Sequence, residues 1–257
     1  MWHHIISYLK FLLRSTNQHG VHSPFVYNLV TKCFYNKTKF KGYKKLKLYK
    51  KSLLTNHSFI EVNDLGAGSQ VMKTSKRKIN SIAKNSGTST KRSELLFRIA
   101  NYFKPNNILE LGTSLGIGTQ ALSIGNPNAS ITTIEGCKNI SKFAKKSISN
   151  IGLNNIEHLT GDFSAIIPKL SKNKYDLIFF DGNHQKDATL NYFETLLITA
   201  HNNSVFIFDD IYWSQSMIEA WKIIKQHPKV TVTIDTYYWG LVFFRKEQQK
   251  EHFTIRV

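Results

Sequence analysis

Three carboxylates stand at the ends of apolar runs in the second half of the chain. The run YDLIFFD ends in Asp181, and the run VFIFDD ends in Asp209 and Asp210. If both runs are strands of an open parallel sheet, their carboxyl ends are where a ligand binds. The three acids should then converge. Carboxylates gathered in one place repel one another unless a cation neutralises them. Oxygen-only ligation suits Mg²⁺, with water or substrate oxygens completing an octahedron. A second arrangement is open, in which Asp210 caps the following helix and Asp209 alone faces the site.

A second group of residues is built to hold a ligand rather than to react. NILELGTSLGIGT, from Asn107 to Thr119, reads as a strand, a glycine-rich turn and the start of a helix. Gly112 and Gly116 let the backbone approach a ligand, and the helix N-terminus beyond favours a carboxylate or phosphate. Glu135 ends the next run, TTIEG, about 20 residues on, where a nucleoside site places its ribose acceptor. VNDLGAGS, containing Asp64, Gly66 and Gly68, looks similar, but no acid occurs from Ser69 to Ser93 to serve as a ribose partner. It is rejected as the cofactor loop. Asp162, in TGDF, falls at the end of one more run.

These residues need a scaffold, and the apolar pattern supplies one. Short runs at 107–111, 131–135, 156–159, 175–181 and 204–209 alternate with helical patterns at 117–125, 138–151, 163–171 and 187–200. That alternation implies parallel βαβ units and a doubly wound α/β sheet. After a helix near 215–227, the runs 230–236 and 240–245 are separated by only Tyr237, Tyr238 and Trp239. A parallel crossover needs about a dozen residues or more, so these two must form an antiparallel hairpin. The expected sheet has seven strands, the last antiparallel. The first ninety residues are different. Residues 2–14 show helical spacing, with Trp2, Ile5, Ile6, Leu9, Leu12 and Leu13 on an apolar face. Ser23 and Pro24 start a second helix as N-cap and N1. Division at residue 90 is expected, with a basic helical extension before a catalytic domain at 91–257.

The 257 residues carry a formal net charge of +18. Residues 1–100 hold 19 Lys and Arg against 3 acids, whereas residues 101–257 hold 16 against 14. The asymmetry points to an acidic partner or to a solvated basic face. Residues 37–51 hold eight Lys with Tyr43 and Tyr49 interleaved, a pattern that can contact phosphates and stack bases. Cys33 and Cys137 make no disulfide framework or metal motif, so a reducing, cytoplasmic compartment is expected. The apolar stretch 5–13 is short and broken by Lys10, so neither a secretory leader nor a membrane insertion is expected. A homodimer is compatible with the composition.

The ordered set ELGTSLGIGT, TTIEG, GDF, DLIFFDGNH, FIFDD and the terminal hairpin resembles the class I S-adenosylmethionine-dependent methyltransferases. Within them it is most similar to the metal-dependent O-methyltransferases related to catechol O-methyltransferase, over residues 91–257. The resemblance implies a Rossmann-like methyltransferase fold. Glu110 and the loop of Gly112, Thr113, Ser114, Gly116 and Gly118 would hold the methionine end of the cofactor. Glu135, with Gly136 beside it, would hold the ribose, and Asp162 and Phe163 would border the adenine. Asp181, Asp209 and Asp210 would hold Mg²⁺, with Asp181 also near the cofactor's amino group.

Two positions depart from the family. Its general base is a Lys three residues after the first metal Asp, and here that residue is His184. The family's third ligand is often Asn, and here it is Asp210. A neutral alcohol is a poor nucleophile, and an imidazole with an ordinary pKa of about 6.5 can take its proton near pH 7. His184, with Asp181, is thus the catalytic candidate, with a structural role for His184 as the other reading. The expected function is methyl transfer to a hydroxyl of a small molecule, assisted by Mg²⁺. The alternative is an RNA-directed methyltransferase gripping the phosphate backbone through 37–51. Against it, no Asn/Asp-Pro-Pro-Tyr motif of base-methylating enzymes occurs. A cofactor-binding protein without catalysis is a third reading.

Overall fold

The structure, a computed structural model, describes residues 2–63, 74–85 and 87–257. The turn at 64–69 that the sequence analysis set aside lies outside the described residues. Helix α1 (Trp2–Arg14) is followed by α2 (Pro24–Leu29), which starts as expected. Pro24 opens it, and the Ser23 hydroxyl accepts from the Val26 N–H. A π-helical turn at Val30–Phe34 extends α2, and α3 (Gly42–Leu54) takes up most of the Lys-rich stretch. Strands β1 (Phe59–Glu61) and β2 (Lys76–Lys78) pair antiparallel, and α4 (Ile79–Asn85) and α5 (Thr90–Phe103) follow.

Strands and helices then alternate through β3 (Asn107–Leu111), α6 (Ile117–Gly125), β4 (Ser130–Glu135), α7 (Lys138–Ser149), β5 (Ile156–Thr160) and α8 (Phe163–Leu170). The pattern continues with β6 (Leu177–Phe180), α9 (Lys186–Leu196), β7 (Val205–Asp209) and α10 (Gln215–Gln226), and ends in β8 (Val232–Asp235), β9 (Trp239–Phe243) and β10 (Glu251–Thr254). The result is an α/β fold with a mostly parallel, multi-stranded sheet. The strands expected between 107 and 245 are all present, displaced by no more than two residues at either end.

The chain forms two compact units, residues 36–165 and residues 1–35 with 166–257. In the first, β3, β4 and β5 are parallel neighbours, with Glu110 opposite Thr133 and Glu135 opposite Thr160. Helix α3 belongs here. Its Leu46, Tyr49 and Leu53 are buried, and the last two join Leu115, Ile117 and Ile140 in one apolar cluster. Tyr43 packs edge-on against Phe97. The tyrosines that the sequence offered as a base-stacking surface are therefore core and supporting residues. The lysines between them take the solvent side.

In the second unit β6 and β7 are parallel, and β9 runs antiparallel to both β7 and β8, as the short 237–239 link requires. Strands β6, β7 and β9 are buried along their whole length, which is why they read as continuous apolar runs. Gly240 is needed here, because a Cβ would come within 2.6 Å of the Trp221 ring. Besides the β1–β2 pair, one strand beyond the expected seven is present among the described residues. β10 lies parallel to β8, and only Phe253 of its four residues is buried, so its pattern carries too little apolar signal to be read. Thr16 bridges to Ile255 beside it, tying the first thirty-five residues to the last strand.

Helix α1 corrects one expectation. Among its described side chains Ser7 and Phe11, one turn apart, are buried, and Phe11 and Tyr8 pack on the Tyr237 ring. The apolar face expected to pack is largely exposed: Ile5 is 48 %, Ile6 47 %, Leu9 54 % and Leu13 87 % exposed. Hydrophobic spacing identified the helix but not the side on which it docks.

Candidate active site

In the unit of residues 36–165, the turn between β3 and α6 is fixed from both ends. The N–H groups of Gly112 and Thr113 both donate to the Ile134 carbonyl of β4. Gly112 has φ 103°, and Gly116, the N-cap of α6, has φ 79°. A Cβ at Gly116 would also approach Ile148 Cδ1 to 2.6 Å, so both backbone and space call for glycine. Ser114, between them, takes φ 46° without being glycine. From below, the Tyr49 hydroxyl donates to the Leu115 carbonyl at 2.7 Å, and burial pushes that phenol above its ordinary pKa. Gly118 is buried in the first turn of α6. This is a backbone cradle at a helix N-terminus, suited to a carboxylate or phosphate.

Glu135 ends β4 beside this turn. Its carboxylate accepts from Ser114 N at 2.8 Å and from Cys137 N at 2.9 Å, the second bond spanning Gly136. The two amides fix the orientation of an acid placed where a ribose acceptor was expected. Glu110, in contrast, is turned into the interior. Its Oε2 accepts from Thr119 at 2.5 Å and Thr133 at 2.6 Å, and the Thr113 hydroxyl donates in turn to Thr133 at 2.6 Å. Oε1 is buried without a protein partner. Burial raises the Glu110 pKa to about 7, against the two threonine bonds that lower it, and the Glu135 charge raises it further. Asp162 is exposed. The Ser164 N–H and hydroxyl both donate to its Oδ1 at the start of α8, and these bonds lower its pKa. Phe163 beside it is half-buried.

The unit of residues 1–35 and 166–257 carries the remaining candidates. Asp181 follows β6, Asp209 ends β7 and is buried, and Asp210 follows with φ 52°. His184 Nε2 lies 3.9 Å from Asp181 Oδ1. His184 and Asp209 line one small cavity of about 10 Å³, closed by Phe180, Phe208 and Met217. Asn183, between Asp181 and His184, has φ 65°, donates to the Tyr192 hydroxyl and has a buried Oδ1 without a protein partner. Of the five non-glycine residues with positive φ among the described residues, Ser114, Asn183, Asp210 and Tyr237 lie in the turns that carry candidate residues. Backbone strain of about 1–3 kcal/mol per residue is characteristic of functional turns.

The metal expectation does not find its ligand set. Among the described residues no group of three or more His, Cys, Asp or Glu side chains is arranged to hold an ion. The structure brings Asp181 together with His184 and sets His184 and Asp209 on one cavity.

Aromatic residues near the strand ends divide in role. Trp239 is core, and Tyr238 is exposed. Tyr212 is buried, with its hydroxyl donating to Asp235 Oδ2 at 2.6 Å. Trp213 has its ring 6.3 Å from His184 and 6.1 Å from His4 of α1. Sequence pattern did not point to Asp235, and it gave His4 only as a surface or helix-packing residue. Asp235 is the last residue of β8, where it binds Tyr212, and His4 reaches Trp213 across about two hundred positions of chain, which local pattern does not signal.

Residues 109–211 match the family described as a methyltransferase domain. No curated protein matches the chain. Among solved structures, a methyltransferase of Podospora anserina bound to SAH is similar with a TM-score of 0.61 at 14% identity, over 88% of this chain and 97% of that one. An O-methyltransferase of Bacillus cereus in complex with SAH gives 0.55 at 18% identity, over 80% and 92%. An O-methyltransferase of Streptomyces achromogenes involved in tomaymycin synthesis, in complex with SAM, gives 0.57 at 16% identity, over 84% and 96%. Residues 109–211 thus match a methyltransferase-domain family, and the fold is similar to that of methyltransferases that bind SAH or SAM.

Proposed function

We propose that the protein transfers the methyl group of S-adenosylmethionine to a hydroxyl of a small-molecule acceptor. The observation that carries this reading is the pairing of His184 with Asp181 at the end of β6, beside Trp213. S-adenosylmethionine, when bound, supplies an electrophilic sulfonium methyl. On this reading the turn from Gly112 to Gly118 and the carboxylate of Glu135 hold it. Asp162 and Phe163 border its base. His184 accepts the acceptor's hydroxyl proton at Nδ1 while its Nε2–H faces Asp181, so that the oxygen attacks as it loses its proton. Asp181 then balances the imidazolium. Two unit charges about 4 Å apart interact by about 1 kcal/mol in water and about 4 kcal/mol at an effective dielectric of 20. The catalytic domain spans 91–257, and 1–90 supports it through Tyr49 under the glycine turn and His4 against Trp213.

Mg²⁺ assistance, expected from the sequence, lacks a ligand set in this geometry, and no step is routed through it. The O-methyltransferases of similar fold favour an oxygen acceptor. The test is methyl-labelled S-adenosylmethionine incubated with the protein and a cell extract, with the label followed into small-molecule, RNA and protein fractions. Label in the small-molecule fraction, as an alkali-stable ether, is expected. Label confined to RNA or protein would overturn the acceptor class.

A further inference from the structure

A second, larger cavity of about 490 Å³ lies between α1 and α10, with Tyr212 in its lining. Its size is that of a small-molecule site. Ile6 and Leu13 of α1 and Ile218 of α10 give it apolar walls. Lys10, Arg14 and Lys222 line it as well, and among the described residues no acid does. The apolar walls are not residues hidden by the fold. Ile6 is 47 % exposed and Leu13 87 %, which is unusual for apolar residues on a helix whose opposite side is buried.

The cations are placed rather than scattered. Arg14 Nη2 donates to the Tyr212 hydroxyl at 3.3 Å, and its Nε donates to the Lys10 carbonyl at 3.2 Å. Tyr212 is held in turn by the buried Asp235. Arg14 is therefore held against Tyr212 while staying exposed, and a guanidinium has five N–H donors to offer. Lys10 stands one turn before it, and Lys222 faces them from α10. Three positive groups without a lining acid call for an anion, and the apolar walls call for an alkyl or aryl body attached to it.

We propose that this cavity binds an amphiphilic anion, a carboxylate or phosphate carried on an apolar body, with the anion on Arg14, Lys10 and Lys222 and the body along Ile6, Leu13 and Ile218. Binding here is a property of residues 1–35 and 166–257 alone, and its test does not depend on methyl transfer.

The test is calorimetric titration of the full chain with monomeric dodecyl phosphate, with dodecanol and inorganic phosphate as half-ligands, and cosedimentation with phosphatidylglycerol vesicles. Dodecyl phosphate is expected to saturate one site at least about tenfold more tightly than either half-ligand, about 1.4 kcal/mol. Lys10→Glu and Lys222→Glu, both at exposed positions, should each weaken it about tenfold. Leu13→Gln should weaken dodecyl phosphate while leaving inorganic phosphate unchanged. Equal binding of dodecanol, or charge-reversed variants that bind as the parent does, would overturn the site. Cosedimentation with vesicles without binding of the monomer would also overturn it, and would assign the exposed face of α1 to a lipid surface instead.

Discussion

His184 Nε2 stands 3.9 Å from Asp181 Oδ1, and the two residues are three positions apart in the turn that follows β6. The separation exceeds a hydrogen bond, so the pair is poised rather than locked. If the imidazole takes the acceptor's proton, His184→Ala should lower kcat by about a hundredfold, the usual contribution of a general base. Affinity for S-adenosylhomocysteine should stay the same. Asp181→Asn should lower kcat less and shift the acid limb of the pH–rate profile. An unchanged kcat in His184→Ala would remove the residue from the mechanism.

Glu135 makes its own separate prediction. Its carboxylate is held by Ser114 N and Cys137 N, so Glu135→Ala removes the proposed ribose acceptor and leaves two amides without that partner. Affinity for S-adenosylhomocysteine, measured by calorimetry, should fall about thirtyfold, or about 2 kcal/mol. Glu135→Gln keeps the shape and one acceptor oxygen, and should lose less. Asp162→Ala should affect binding less than either, because Asp162 is already engaged as the cap of α8.

Much of this arrangement is legible in the sequence, for physical reasons. The buried strands β6 and β7 read as apolar runs, and each leads into a turn that carries an acid, so both strand and site position could be read together. The 237–239 link is too short for a crossover, which fixed the antiparallel β9. What was not legible depends on contacts distant in sequence. β10 is amphipathic over four residues and gains its place only by pairing with β8. The docking side of α1 is decided by Tyr237, and the position of Trp213 relative to His4 and His184 follows from that docking. The three acids were read as one cluster because strand ends coincide. Their side chains are set by local turns, and the left-handed backbone at Asp210 is invisible in a residue count.

The absence of a three-acid group among the described residues bears directly on metal dependence. Catalysis through His184 and Asp181 alone should proceed in EDTA at a rate within about twofold of that in Mg²⁺, since no metal-bound oxygen has to be formed. The measurement is initial rate with the acceptor found by labelling, in EDTA and across a Mg²⁺ titration. Loss of more than about tenfold in EDTA, restored by Mg²⁺, would require Asp181, Asp209 and Asp210 to assemble on binding, and would return the mechanism to metal-assisted deprotonation.

Glu110 connects the site to the stability of the fold. Burial raises its pKa from 4.5 to about 7, and Thr119 and Thr133 hold one of its oxygens. Between these two values the folded protein binds a proton that the unfolded chain has released. The contribution of this group to stability is therefore complete below about pH 4.5 and is lost as pH rises through about 7. The full loss is about 3 kcal/mol, since each pH unit between the two values contributes about 1.4 kcal/mol. Glu110→Gln stays neutral throughout, and its carbonyl can still accept from both threonines. Its Tm should match the parent's at pH 5 and exceed it at pH 8 by about 5 °C or more, at about 2–4 °C per kcal/mol for a chain of this size. Parallel Tm profiles for the two proteins across that range would show that Glu110 does not titrate between pH 5 and 8. The buried Oε1 would then have to be satisfied by a partner that keeps the carboxylate charged.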